Sequence, residues 1–163
     1  VRGVRGQGGA RWLSAAVTAA VAVVVGGASG CVRDEAMAGM GLPRLSADEQ
    51  VAGDAVPFQG TLEIGPQGCL MVRLTDPAGD TADRWTAWPS GSEAVYGSAE
   101  EGNGAKVDRE TFMGGDAVSG TGRLVPLSAL PGGISPGSYF EGSGRYCDAL
   151  VGGVLVIDEV AHA

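Results

Sequence analysis

Phe58-Gln59-Gly60-Thr61-Leu62-Glu63-Ile64-Gly65-Pro66-Gln67-Gly68-Cys69-Leu70-Met71-Val72-Arg73-Leu74 reads as two alternating runs joined by a turn. Phe58, Leu62 and Ile64 fall on one face of an extended chain, with Gln59, Thr61 and Glu63 on the other. This period of two is that of a half-buried strand. Leu70, Val72 and Leu74 alternate likewise with Cys69, Met71 and Arg73, and Gly65-Pro66-Gln67-Gly68 has the chemistry of a hairpin turn. Further on, Arg84 to Trp88 forms a third run, stopped by Pro89-Ser90-Gly91. Val95-Tyr96 and Ala105-Lys106-Val107 are weaker runs flanking a turn at residues 100–104. Asp116 to Val125 is a long strand, in which Gly120 and Gly122 mark a bend or a close backbone approach. Val154 to Val160 is the last and strongest strand. No segment after residue 57 sustains helical periodicity, so the expectation is an all-β fold. Its simplest form is a small closed or nearly closed barrel of five to seven short strands. An OB-like barrel, an SH3-like barrel and a small sandwich all close such a sheet, and the glycine-rich bends favour a barrel.

Upstream of residue 57 the character of the chain differs. Arg2, Arg5 and Arg11 form a basic start without an acid, an apolar run follows from Trp12 to Val25, and Ala28-Ser29-Gly30-Cys31 closes the segment. This is the layout of a secretory signal. The run is shorter than the ~20 residues that a comfortable membrane-spanning helix requires. The cysteine directly after small residues resembles a bacterial lipoprotein signal, in which that thiol receives a diacylglyceryl group. Ser29 and Gly30 fit that pattern, whereas Ala28 stands where a larger aliphatic residue is usual and also suits ordinary signal cleavage. Residues 1–30 are therefore expected to be a signal peptide forming an N-terminal signal helix, with Cys31 as the lipidation site. Residues 31–56 lack periodicity and are rich in Ala, Gly, Asp and Glu, which predicts a flexible, disordered acidic tether. Within it, Ser46-Ala47-Asp48-Glu49 has the spacing of a capping box and predicts one helical turn. Residues 57–163 are the β-barrel domain.

Without residues 1–30 the chain carries eight basic and nineteen acidic residues, a net charge of −11. So acidic a surface repels phosphate backbones, and no nucleic acid partner is expected. The three cysteines are Cys31, Cys69 and Cys147. Exported domains tend to pair their thiols. Cys69 and Cys147 lack the Cys-x-x-Cys spacing of a redox pair, so a structural disulfide is expected between them, with Cys31 left over for acylation.

Several groups of residues suggest chemistry. Gly133-Ile134-Ser135-Pro136-Gly137 matches the Gly-x-Ser-x-Gly nucleophile pattern, and Asp148, Asp158 and His162 follow in hydrolase order. Pro136, however, has no N–H to give an oxyanion hole, and the strand-before, helix-after context is not expected. His162, the single histidine, sits at a terminus where chains fray. No catalytic residue is assigned. Asp76, Asp80 and Asp83 cluster in one loop and are weak candidates for calcium, without the EF-hand spacing. Trp85 and Trp88, three apart in a strand, face opposite ways. With Tyr139, Phe140 and Tyr146 they are candidates for a stacking platform for sugar or peptide, the competing expectation being that both indoles plug the barrel ends. Gly120-Thr121-Gly122-Arg123 is not a phosphate loop, and no cofactor is expected.

Gly68-Cys69, Trp88-Pro89-x-Gly91, Gly115-Asp116-x-Val118 and Tyr146-Cys147, together with the signal ending in Gly-Cys, give a chain that resembles the small lipoproteins of actinobacteria. The abundance of Gly, Ala and Val and the single Lys106 fit such a high-GC source. The resemblance implies a lipid-anchored β-domain at the outer face of the cytoplasmic membrane and brings no activity with it; plain secretion is the other localisation. The expected role is a non-catalytic binding or interaction module whose partner is an envelope protein or glycan. The alternative is a minor hydrolase or a calcium-dependent envelope enzyme.

Overall fold

The structure is a computed structural model and describes residues 41–76, 78–98 and 102–163. The expected signal peptide, Cys31 and the first part of the expected tether lie outside the described residues. The runs read from the sequence form strands, and one further strand, β6, joins them: β1 (Val56–Ile64), β2 (Leu70–Thr75), β3 (Thr81–Ala87), β4 (Glu93–Tyr96), β5 (Asn103–Val107), β6 (Glu110–Met113), β7 (Ala117–Val125) and β8 (Val154–His162). Five of them pair side to side until they close a ring, in the order β1-β2-β3-β8-β7. β1 and β2 form the hairpin, with Leu62 opposite Val72. β2 continues antiparallel to β3, and β7 is antiparallel to both β1 and β8. The closing pair is parallel, with Trp85 of β3 beside Val154 of β8. β4, β5 and β6 form a separate three-stranded antiparallel sheet inserted between β3 and β7.

Alternation sorts the side chains into two apolar layers. Phe58, Leu62, Leu70, Val72, Val118, Leu155 and Ile157 fill the inside of the ring, where Trp88 and Phe112 join them. The opposite face of the same strands carries Cys69, Trp85, Ala87, Val154 and Val156, which lie under Leu127, Leu130, Phe140 and Ala149. β8 is thus buried on both faces over Val154–Ile157, which explains its unbroken apolar run. Between Gly122 and Thr121 the register against β8 shifts by one residue, leaving Asp158 bulged. A side chain at Gly120 or Gly122 would collide with the backbone of Glu159 or Val156, so both glycines serve the expected close approach.

Two expectations are corrected. The connection from β7 to β8 is helical, with a 3-10 turn (Leu127–Ala129), α1 (Tyr139–Tyr146) and the short α2 (Ala149–Gly152). α1 begins at Ser138, whose side chain accepts from the Glu141 N–H, an N-cap that satisfies an otherwise unpaired donor. Gly142 and Gly144 weaken its intrinsic propensity and mask its periodicity. Packing compensates: Gly144 lets the helix approach so closely that a Cβ there would come 2.6 Å from Leu127 Cδ1.

The second correction concerns the expected tether. Its described part, from Gly41 onward, lies against the domain rather than away from it. Leu42 and Val51 are buried, Arg44 bridges in parallel to Trp88, and Leu45 N–H donates to Trp88 O while Trp88 N–H donates to Pro43 O. Arg123 Nε donates to Gly53 O at 2.9 Å and pairs through Nη1 with the bulged Asp158. Two isolated apolar residues suffice because each meets a preformed hydrophobic layer. In place of the expected helical turn there is a tight hydrogen-bonded turn, with Ser46 N–H donating to Glu49 Oε2 at 2.8 Å and Glu49 N–H to Ser46 O.

Cys69 and Cys147 form a disulfide that ties the start of β2 to the end of α1 across 78 residues. Among the described residues no helix is long and apolar enough to cross a membrane.

Candidate functional site

A cleft of about 360 Å³ opens where four parts of the chain converge. The β1–β2 turn supplies Gln67 and Gly68, with Leu70 behind them. β4 and β5 supply Ala94, Val95, Tyr96, Asn103 and Gly104. Gly41 and Leu42 come from the packed N-terminal segment, and Tyr146 from the last turn of α1. The positions follow from the fold. The hairpin turn projects from the ring, the β4–β6 sheet is held beside it by Phe112 and Trp88, and the disulfide next to Tyr146 fixes the helix end against β2. Tyr96 is 67% exposed and Tyr146 44%, whereas Leu42 and Leu70 are buried. The site is an apolar floor with two phenol rings at its rim and two amide side chains. Its volume lies within the usual range for small-ligand sites.

The residues singled out from sequence are mostly elsewhere. Trp85 and Trp88 face opposite ways as expected, yet both are buried: Trp85 packs edge-on against Phe140 outside the ring and Trp88 against Phe112 inside it. Phe140 is buried too, and Tyr139 donates its hydroxyl to Leu42 O at 3.1 Å. The stacking platform of Trp85, Trp88, Tyr139 and Phe140 is therefore corrected to core and helix packing, and of the five aromatics proposed for it Tyr146 alone lines the cleft. Both indole N–H groups are buried without a partner among the described residues.

The acidic loop is structural as well. Asp76 Oδ1 accepts from the N–H groups of Ala78 and Asp80 at 2.8 and 3.0 Å, shaping its own turn. Asp83 is engaged by Arg73, which reaches Glu63 on its other side, so that the exposed face of β1, β2 and β3 carries a Glu63–Arg73–Asp83 ladder. Hydrogen bonding and charge from Asp83, followed by the charge of Glu63, raise the Arg73 pKa further above its already high value. Among the described residues no group of three or more His, Cys, Asp or Glu side chains converges on a metal position.

The hydrolase-ordered residues do not meet. Ser135 lies in a run of tight turns before α1. Asp148 stands between the helices in a left-handed conformation, and Asp158 holds Arg123. His162 is not frayed: it is the last residue of β8, stacks on Phe112 with ring centroids 4.6 Å apart, and sits 3.2 Å from Thr111 O. Gly120–Gly122 is paired on both sides, with Phe58 and Val160 flanking Gly120, and Arg123 is paired with Val156, so this backbone does not form an open phosphate cradle.

No family model matches the chain, and no solved structure matches it. Over 121 residues it is 28% identical to an NAD kinase of Halorubrum lacusprofundi. That stretch is 74% of this chain and 41% of that protein, so the chain spans less than half of the relative's length.

Proposed function

We propose that this chain is an exported lipoprotein, held through a diacylglyceryl group on Cys31 at the outer face of the cytoplasmic membrane. Its folded part is a non-catalytic binding module whose partner belongs to the cell envelope. The observation that supports this reading most is the Cys69–Cys147 bridge. A disulfide suits an oxidising compartment, and with two thiols joined Cys31 is the remaining cysteine of three. Cys31 also follows an apolar run and Ala28-Ser29-Gly30, of which Ser29 and Gly30 fit the lipoprotein signal pattern. The ring order, with one parallel closure between β3 and β8, supports an OB-like barrel over an SH3-like one, because it departs from simple neighbour-to-neighbour pairing. Residues 32–41 separate the anchor from buried Leu42, and even fully extended they reach only about 33–36 Å. The domain would accordingly work close to the lipid surface rather than at the end of a long lead.

Replacing Cys31 by Ser tests the reading. Fractionation of cells should find the parent with the membranes and the variant in the soluble exported fraction. A variant that stays with the membrane to the same extent as the parent would rule out the lipid anchor.

A further inference from the structure

We propose that the cleft between Tyr96 and Tyr146 is a binding site for an uncharged carbohydrate. This names the ligand class of the binding module and rests on that reading for its setting only. Three observations carry it.

The first is charge. Every described residue lining the cleft is uncharged, in a chain that beyond residue 30 carries a net −11. On the neighbouring exposed face of β1–β3 charges are dense and paired, as in the Glu63–Arg73–Asp83 ladder. The described lining of this depression offers neither a carboxylate for a cation nor a guanidinium or ammonium for an anion. It fits a neutral ligand.

The second is the kind of surface presented. Tyr96 and Tyr146 are both exposed. They come from elements 50 residues apart that the disulfide and the β4–β6 sheet bring to one rim. A phenol ring offers an apolar face and a polar tip, which matches a sugar ring with its C–H faces and rim of hydroxyls.

The third is the polar complement. Gln67 and Asn103 each provide a carbonyl acceptor and an NH₂ donor, so hydroxyl groups can be met in both roles. The volume of about 360 Å³ accommodates one or two sugar rings, with a longer chain leaving through the open side.

The test uses the complete mature protein, ¹⁵N-labelled and held in a detergent without a sugar headgroup. Maltohexaose, tri-N-acetylchitotriose and α-mannotetraose are titrated as neutral probes, an oligogalacturonate as the anionic one, and an apolar extended decapeptide as the protein-like one. At least one neutral oligosaccharide should shift the amides of Gln67, Gly68, Tyr96, Asn103 and Tyr146 saturably, and the oligogalacturonate should not. Tyr96→Ala and Tyr146→Ala should each weaken that binding about tenfold, as expected for loss of an aromatic contact, while Tyr96→Phe keeps most of it. Amide spectra of the variants report whether the fold is intact. Silence of all three neutral probes at 10 mM (a concentration of order the weakest useful affinity), shifts with the oligogalacturonate or decapeptide instead, or unchanged binding by both alanine variants would overturn the proposal. The membrane fractionation of the Cys31→Ser variant is independent of these titrations, so failure here leaves the anchor reading standing, and the reverse.

Discussion

Arg73 illustrates how single residues in this chain divide between packing and solvation. Its guanidinium is fixed by Asp83 on one side and Glu63 on the other, yet all three side chains are exposed, and exposed ion pairs contribute little because water and salt screen them. Replacing Arg73 by Ala should leave the thermal midpoint close to the parental one, with any difference shrinking as salt is added. A large, salt-independent drop would mean the ladder is structural. The sign of the pH effect is simple. Asp83 and Glu63 raise the Arg73 pKa, so whatever stabilisation this shift contributes is complete below the unfolded value and is lost only as pH rises past the folded one. Both lie above the range in which proteins are handled, so the Arg73 charge itself adds no pH dependence under ordinary conditions. Trp85 and Trp88 are the opposite case. Their spacing correctly placed them on opposite faces, but spacing does not tell that each face is covered, one by the ring interior and the other by α1.

At the scale of elements, the N-terminal segment is the most instructive. Removing the Leu42 side chain as Leu42→Ala should cost about 2–3 kcal/mol, at the lower end for a buried leucine, because it seals the layer beside Leu70 and Trp88. Urea denaturation measures this, and a change under about 0.5 kcal/mol would be the value of a surface position, returning the segment to the status of a tether. Of the strands, β1 and β2 were legible from an apolar residue at period two, β8 from its unbroken apolar run, β3 from the Pro89-Ser90-Gly91 stop after it and β7 from its length around Gly120 and Gly122. β6 was not, as Glu110-Thr111-Phe112-Met113 is too short to show a period. α1 was hidden for a different reason: eight residues with two glycines carry no helical signal, and the helix is held by its Ser138 cap, Phe140 and the Cys147 link. The packed segment at residues 41–53 escaped reading because Leu42 and Val51 are nine residues apart, and their burial depends on surfaces made by β3, β7 and α1. The cleft was illegible for the same reason. Tyr146 could be named, but its partner Tyr96 is brought to it by tertiary structure alone.

For the whole molecule, the disulfide joins the two apolar layers' common wall to the helical connection. On the chain-entropy account, a loop of 78 residues restricts the unfolded chain by about 4 kcal/mol. Cys69→Ala/Cys147→Ala should lower unfolding stability by that order in urea. A loss below about 1 kcal/mol would show the bridge to be incidental to the fold. The same pairing sets Cys31 apart. A signal-like N-terminus and a third cysteine directly after small residues are what the proposed lipid anchor rests on. The most direct measurement is the intact mass of the protein extracted from membranes, under non-reducing conditions. A chain beginning at Cys31 and heavier by a glycerol carrying two acyl chains is the predicted result. A chain beginning at Cys31 with an unmodified thiol, or one retaining residues 1–30, would contradict the anchor.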